Sequence, residues 1–221
     1  MVRFDNISIF YDKSRVEYPL EFIRHIKAKC DINKKGVYAD MGCGSGKFTK
    51  RIIDDAGVID GINVSKDMLC EAKNNLPENF QGININASDF IAPNKYDVIF
   101  LSHSFHWMNS EELLRNIYES LKDDGKIVIF WNNSLSRDEK WFKLIQNLVR
   151  KYHNKPISNH RGLDTIDQLE KSNHFKDIKK KEFHFVKTFA IDDYISLVSS
   201  KSYVSNDIPQ ECLEDFFEKL V

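Results

Sequence analysis

Three glycines at positions 42, 44 and 46 follow an apolar run, 37–39, that ends in Asp40. This order predicts a buried strand, a tight turn and the start of a helix. Glycine tolerates positive φ and lets a ligand lie against bare backbone, and the first amides of a helix are free donors. Asp40 could accept a hydrogen bond from a cationic amine or from nearby amides. The stretch therefore predicts a site for a nucleotide-like ligand.

The spacing of the glycines separates the possible ligands. The pattern is D-x-G-x-G-x-G, whereas a dinucleotide fingerprint is G-x-G-x-x-G, so the third glycine comes one residue early. A phosphate-binding P-loop cannot be aligned on residues 42–47. An NAD-dependent dehydrogenase is therefore disfavoured, and a glycine turn that holds no ligand remains the alternative to a cofactor site.

The elements that must position this turn alternate along the chain. Strands are predicted at 37–40, 58–62, 81–86, 96–102 and 126–131, and helices at 19–30, 46–56, 65–76 and 111–121. Beyond them we expect helices at 136–152 and 164–173, a sixth strand at 175–189, and two final helices at 191–200 and 209–220. The alternation predicts an α/β fold with a doubly wound, mostly parallel sheet and helical additions at the N- and C-termini. We expect one domain over residues 1–221, with a core at about 36–133, an N-terminal cap at 1–30 and substrate-side additions at 134–221.

Composition limits the classes of function. The 221 residues are 42% hydrophobic and 29% charged, and 32 Lys and Arg balance 33 Asp and Glu. A net charge near zero gives no general attraction to nucleic acid. The four cysteines form no C-x-x-C pair, and no apolar run reaches 18 residues, so we expect a cytoplasmic protein with free thiols, no metal site and no membrane partner.

Five segments resemble consecutive motifs of the class I S-adenosylmethionine (SAM) methyltransferases. They are VYADMGCGSGKFTK, VIDGINVSKDMLCEAK, NASDF, YDVIFLSHSFHWMN and LKDDGKIVIFWNN, and together they span about residues 36–133. The pattern Tyr11-x-x-x-Arg15-x-x-Tyr18-Pro19, the pair His106-Trp107 and the string SKSYV at 200–204 resemble a small-molecule branch that includes trans-aconitate methyltransferase-like enzymes. The resemblance implies SAM as cofactor, S-adenosylhomocysteine as product and a small-molecule acceptor.

The resemblance also implies the cofactor contacts. Arg15 would pair with the methionine carboxylate beneath Tyr11, although a solvated arginine and a core tyrosine are the alternative. Ser88 and Asp89 would hold the adenine, unless they cap a helix. The full set of implied cofactor residues is Tyr11, Arg15, Asp40, Gly42, Cys43, Gly44, Gly46, Asn63, Val64, Met68, Ala87, Ser88, Asp89, Ser102 and Trp107.

The sequence departs from the family at three places. Asn63 stands where an acidic residue usually accepts both ribose hydroxyls, so we expect weaker cofactor binding. Val16 replaces a common proline in the tyrosine–arginine motif. The family usually ends with a further antiparallel strand, and we expect that strand to be missing because none follows Leu220.

Methyl transfer requires mainly proximity and in-line alignment, because the leaving group is a neutral thioether. A carboxylate acceptor needs no general base, whereas a phenol or amine would need His103, His106 or Tyr11. His106 and Trp107 could instead pack against the adenosyl group or the core. The missing acid–base constellation favours a carboxylate acceptor.

Two other functions remain open alongside a small-molecule methyltransferase. Methylation of tRNA or protein would need a basic face, and Lys179 to Lys181 are interpreted as a solvated strand edge. A non-catalytic SAM-binding module is the other alternative. We therefore expect no nucleic-acid partner.

Overall fold

The fold was analysed in a computed structural model. It describes residues 16–132, 140–152 and 164–190, together with residues 193, 197, 198, 208, 212, 215 and 216. Two compact units are present. The larger one includes residues 18–131 and the described residues at 164–185, and it contains every residue of the candidate site discussed below. The expectation of a single domain stays a prediction.

The larger unit contains a five-stranded sheet in which all the strands run parallel. The order is β3-β2-β1-β4-β5, so the glycine-bearing strand lies at the centre. The strands are β1 (Val37–Met41), β2 (Val58–Asn63), β3 (Phe80–Asn84), β4 (Tyr96–Ser102) and β5 (Leu121–Phe130). This order reverses between β1 and β4, and in such sheets ligands bind at that reversal, beyond the carboxyl ends of the strands.

Two apolar layers cover the sheet, one on each face. Tyr38, Phe48 and Phe100 belong to one layer, and Ala39, Ile99 and Leu113 belong to the other. Alternate residues of β1 and β4 thus enter opposite layers, as expected of strands buried on both faces. The predicted doubly wound α/β fold is confirmed for the described residues.

Four of the five described helices of the larger unit begin and end close to their predicted positions, and the short helix Phe105–Met108 was not predicted. The five helices are α1 (Leu20–Lys29), α2 (Lys66–Asn75), α3 (Phe105–Met108), α4 (Glu111–Ser120) and α6 (Thr165–Ser172). Ser65 caps α2, because its hydroxyl accepts a hydrogen bond of 3.3 Å from the amide of Met68. The predicted cap is confirmed. Ser110 caps α4 in the same way, through the amide of Leu113.

Two predictions of secondary structure were wrong. Residues 46–56 do not form an α-helix: after one α-type bond from Lys50 N to Gly46 O, the backbone tightens into the 3₁₀ turns Thr49–Arg51 and Ile53–Asp55. Residues 175–189 alternate in sequence but join no strand of the sheet. Most of their side chains are exposed, so there is little apolar burial to hold them as an edge strand.

The smaller unit includes helix α5 (Lys140–Tyr152), which is the described part of the helix expected from residue 136. Both final helices expected after residue 190 fall mostly outside the described residues. Within the described part of the chain, no helix is both long enough and apolar enough to cross a bilayer.

Candidate active site

The glycine turn at the end of β1 adopts the left-handed backbone that its composition predicts. Gly42, Gly44 and Gly46 have φ of 75°, 58° and 81°. A Cβ on Gly42 would lie 2.4 Å from Cβ of Ser104, and one on Gly46 would lie 2.6 Å from Cδ1 of Leu76. A Cβ on Gly44 would approach only Sδ of Met68, at 3.7 Å. Packing thus excludes a Cβ at Gly42, and at Gly46 the positive φ and the end of the Leu76 side chain disfavour one, whereas Gly44 borders open space in which a ligand could lie.

The amides of the turn are not all available to a ligand. Gly42 N and Cys43 N both donate to the carbonyl of Ile62, at 2.8 and 3.2 Å. The side chain of Cys43 is buried, and burial raises the pKa of its thiol well above the ordinary value. Cys43 therefore has a structural role in the turn, because its side chain is buried and its amide is bonded to Ile62. The Gly44 amide makes no hydrogen bond within the described residues.

Asp40 is a buried carboxylate with half of its hydrogen-bonding capacity unused. It is 1% exposed, and its Oδ2 accepts a hydrogen bond of 2.7 Å from the hydroxyl of Thr49. Its Oδ1 has no partner among the described residues. Burial raises the pKa of Asp40 from 3.8 to about 7, against the opposing effect of the Thr49 hydrogen bond. An unpartnered buried carboxylate oxygen fits a cationic ligand group.

The end of β2 faces the same open space. Oδ1 of Asn63 accepts from the amide of Ser65 at 3.2 Å, and its Nδ2 lies 3.9 Å from Sδ of Met68. Met68 is buried, and its sulfur lies close both to Asn63 and to the position that a Cβ on Gly44 would occupy. Val64 is 47% exposed. The fold brings together three of the sequence-predicted residues around this space: Gly44, Asn63 and Met68.

The turn after β3 differs from the expected arrangement. Asn86, and not Ser88 or Asp89, caps the 3₁₀ turn Ala87–Asp89, because its Oδ1 accepts from the amide of Ser88 at 3.2 Å. The carbonyl of Ser88 accepts a 2.7 Å bond from Asn116. Ala87 is buried, Ser88 is half-buried and Asp89 is exposed, so Asp89 offers the most accessible side-chain acceptor of the three.

A hydroxyl pair lies at the end of β4. Tyr18 Oη and Ser102 Oγ are 2.5 Å apart, which connects the segment just before α1 with the carboxyl end of β4. The next residue, His103, has φ of 54°, and its amide donates to the carbonyl of Phe130 at 3.0 Å. Left-handed backbone in a residue other than glycine costs on the order of 1 kcal/mol or more and concentrates at functional sites.

His106 and Trp107 occupy the short helix α3 after β4. Trp131 Nε1 donates to Nδ1 of His106 at 3.2 Å, so the neutral imidazole carries its proton on Nε2. The nitrogen that a general base would use is therefore engaged by Trp131. Trp107 is 47% exposed, and its ring centroid lies 5.0 Å from that of His106. A catalytic role of His103 or His106 stays a prediction.

Two predicted site residues lie outside the described part of the chain, and two residues of the site were not predicted from the sequence. Tyr11 and Arg15 lie outside the described residues. The sequence analysis assigned no role to Thr49, whose distance of nine positions from Asp40 carries no recognisable signal. Tyr18 was quoted in a motif but was not placed in the site, because only the fold brings it to Ser102.

Comparison with known proteins shows which class of enzyme the chain resembles. Residues 39–129 match the family described as a methyltransferase domain. An uncharacterized methyltransferase of Schizosaccharomyces pombe is 26% identical over 213 residues, which cover 95% of this chain and 82% of that protein. A probable S-adenosylmethionine-dependent methyltransferase of Saccharomyces cerevisiae is 29% identical over 131 residues, which cover 56% of this chain and 44% of that protein.

A third relative is a trans-aconitate 2-methyltransferase of Rhodopseudomonas palustris, 29% identical over 110 residues, which cover 48% of this chain and 42% of that protein. The chain thus spans less than half the length of the last two relatives. A solved structure from Anabaena variabilis, described as a methyltransferase from an antibiotic biosynthesis pathway, has a TM-score of 0.69 at 15% identity and covers 94% of this chain and 86% of that chain. At this identity the likeness establishes the fold alone.

The fold is the Rossmann-like fold of class I methyltransferases. Residues 39–129 match a methyltransferase domain, and the similarity to methyltransferases over 95% of the chain supports a SAM-dependent methyltransferase activity.

Proposed function

We propose that the chain transfers a methyl group from SAM to a small acidic molecule, with a carboxylate as the accepting group. The observation that carries the cofactor half of this proposal is the pairing of open space at Gly44 with the unpartnered Oδ1 of Asp40. SAM has a cationic α-amine, which fits a buried carboxylate, and a sugar and base that need a bare-backbone surface.

In this proposal the chain's own residues divide the cofactor between them. Asp40 accepts from the α-amine, Gly44 lets the cofactor approach the backbone, and Asn63 accepts from a ribose hydroxyl. Asp89 accepts from the exocyclic amine of adenine, in keeping with its exposed carboxylate. Arg15 and Tyr11, which the resemblance assigns to the methionine end of the cofactor, lie outside the described residues and stay predictions.

Alignment supplies most of the catalysis in this proposal. SAM provides an electrophilic methyl group, and holding the acceptor in line with it converts a bimolecular reaction into an effectively unimolecular one. Ser102 and His103 end the strand nearest the expected methyl position, and the bond of 3.0 Å from His103 N to Phe130 O fixes their backbone.

A carboxylate acceptor is supported by the state of His106. Because the Nδ1 lone pair of His106 accepts from Trp131, this imidazole is poorly placed to remove a proton from a phenol or amine. An acceptor that is already an anion avoids that requirement. The similarity to a trans-aconitate 2-methyltransferase points to the same class of acceptor.

A ligand-dependent melting experiment tests the cofactor half. S-adenosylhomocysteine at about 100 times its dissociation constant should add roughly 2.7 kcal/mol to the free energy of unfolding, or about 5–10 °C in melting temperature for a chain of this size. NAD at the same concentration should leave the midpoint unchanged. No shift with either SAM or S-adenosylhomocysteine at millimolar concentration would refute cofactor binding.

A methyl-transfer screen tests the acceptor half. Radiolabelled SAM is incubated with the protein and a panel of di- and tricarboxylic acids, with matched amides, phenols and amines as controls. Base-labile labelled esters formed only from the acids support the proposal. Label in the amines or phenols instead would replace the carboxylate with an acceptor that needs deprotonation.

A further inference from the structure

The near-neutral charge of the chain conceals a strong separation of charge. Residues 20–35 carry five basic and two acidic side chains, and residues 173–185 carry four basic and two acidic side chains. These two stretches together have a net charge of +5, whereas the rest of the chain has −6. The balance of 32 basic against 33 acidic residues therefore says little about any one face.

The fold joins the two basic stretches into one surface. The ring of Phe183 packs against Phe22 and His25 of α1, with centroid distances of 5.5 and 5.2 Å. Nζ of Lys181 lies 3.3 Å from Nδ1 of His25 and 4.8 Å from the centroid of the Phe183 ring. We call the cations of this region, Arg24, Lys27, Lys29, Lys34 and Lys181, the basic surface.

Most of the basic surface is not neutralised by the protein. Lys27 pairs with Asp55 at 2.5 Å. The other four cations form no ion pair in the part of the chain that the structure describes. Burial is the main cause that lowers the pKa of His25, and the positive charges of Lys181 and Lys29 lower it further, so both lysines lie close enough to repel a protonated His25. A bound anion would relieve that repulsion.

The basic surface includes a concavity of useful size. Arg24, Lys27 and Lys34 line an open depression of about 590 Å³ beside Asp55. Small-molecule pockets occupy roughly 300–1,000 Å³, so this depression could accept one nucleotide unit. It lies next to the loop that precedes β1, whereas the glycine turn follows β1, so the depression is separate from the candidate cofactor site.

The apolar and aromatic side chains near the basic surface distinguish between two anionic partners, a membrane and a nucleic acid. Membrane-surface helices insert an apolar face, but of the large apolar side chains of α1, Phe22, Ile23 and Ile26 are buried in the core and only Leu20, at the first position of the helix, is exposed. Phe185, two residues beyond Phe183, is 41% exposed and presents a ring on which a base could stack. We propose that the basic surface binds the phosphate backbone of single-stranded nucleic acid. The proposal does not depend on the identity of the methyl acceptor.

Fluorescence anisotropy with a labelled 12-nucleotide oligouridylate tests the proposal on the full chain. Four uncompensated cations predict a salt slope of about −2.8, so affinity should fall roughly 50-fold between 50 and 200 mM salt. A variant with Arg24→Glu, Lys29→Glu and Lys181→Glu should bind at least tenfold more weakly at 50 mM salt.

A matched control has the same net charge. Lys73→Glu, Arg115→Glu and Lys171→Glu reverse exposed cations on α2, α4 and α6. This variant should keep its affinity within about twofold, and both variants should keep the parent melting temperature and its response to S-adenosylhomocysteine. Equal losses in both variants would overturn the proposal, as would no binding at 50 mM salt. Binding to phosphatidylserine vesicles without binding to the oligonucleotide would also overturn it.

Discussion

Replacing Asp40 with Asn should make the cofactor-free protein more stable above pH 7. Burial raises the pKa of Asp40 to about 7 in the fold, against 3.8 for an aspartate in water. The unfolded chain therefore releases this proton near pH 4, whereas the folded chain holds it until about pH 7. Between these values the folded state binds more protons, so the free energy of unfolding falls as pH rises. Asn cannot ionise and avoids that loss.

The magnitude follows from the width of that interval. A difference of about 3 pH units at 1.36 kcal/mol per unit gives about 4 kcal/mol as an upper bound. The free energy of unfolding of the Asn variant should equal that of the parent near pH 4. The difference should grow between pH 4 and 7, and at pH 8 the Asn variant should be more stable by up to about 4 kcal/mol. The geometry allows the replacement, because the amide oxygen of Asn can accept the same 2.7 Å bond from Thr49.

Urea unfolding from pH 4.5 to 8.5 without cofactor measures this difference directly. Asp54→Asn, which alters an exposed carboxylate, is the matched control and should show no pH-dependent gain. The cofactor response should move in the opposite direction: the Asn variant loses a charge-assisted hydrogen bond of about 1.5–3 kcal/mol, so S-adenosylhomocysteine should bind roughly 10- to 100-fold more weakly. A stability difference that does not vary with pH would refute the reasoning about the unpartnered oxygen. Unchanged affinity would refute the amine contact.

Three further changes separate packing from binding. Gly44→Ala should abolish the response to S-adenosylhomocysteine while costing about 1–2 kcal/mol of backbone strain, whereas Gly42→Ala should cost more in chemical denaturation because its Cβ meets Ser104 at 2.4 Å. Asn63→Asp should tighten S-adenosylhomocysteine about tenfold by calorimetry, because a charged acceptor replaces a neutral one. Tyr18→Phe and Ser102→Ala should each cost about 1 kcal/mol, and their double-mutant cycle should show coupling of about 0.5–1 kcal/mol through the 2.5 Å bond; additive losses would contradict it.

The sequence predicted the sheet well because burial on both faces leaves an unambiguous pattern. The run from Tyr96 to Ser102 is apolar almost throughout, and no helix or exposed strand needs such a run. The glycine turn was equally readable, since three left-handed positions at this spacing admit few other residues.

The failures occurred where two structures share one pattern. Residues 46–56 have helical spacing, but Thr49, Ile52 and Ile53 are β-branched, and Thr49 turns its hydroxyl to Asp40. The hydrogen bond from Thr49 to Asp40 forms in the 3₁₀ turn, and a prediction from local sequence spacing does not include such a contact between residues nine positions apart. Residues 175–189 alternate like a strand, yet alternation supplies no hydrogen-bonding partner.

The distribution of charge over the surface could not be predicted from the composition either. Lys179 to Lys181 were interpreted as the solvated edge of an expected strand, and the near-zero net charge gave no sign of a basic face. The contact of Phe183 with Phe22 places Lys181 beside the cations of α1, a relation between residues more than 150 positions apart. Net charge describes long-range steering of the whole molecule, but binding depends on the charge within about one Debye length, roughly 8–10 Å. A chain with a net charge near zero can therefore carry a strongly basic face, and only its three-dimensional structure reveals where that face lies.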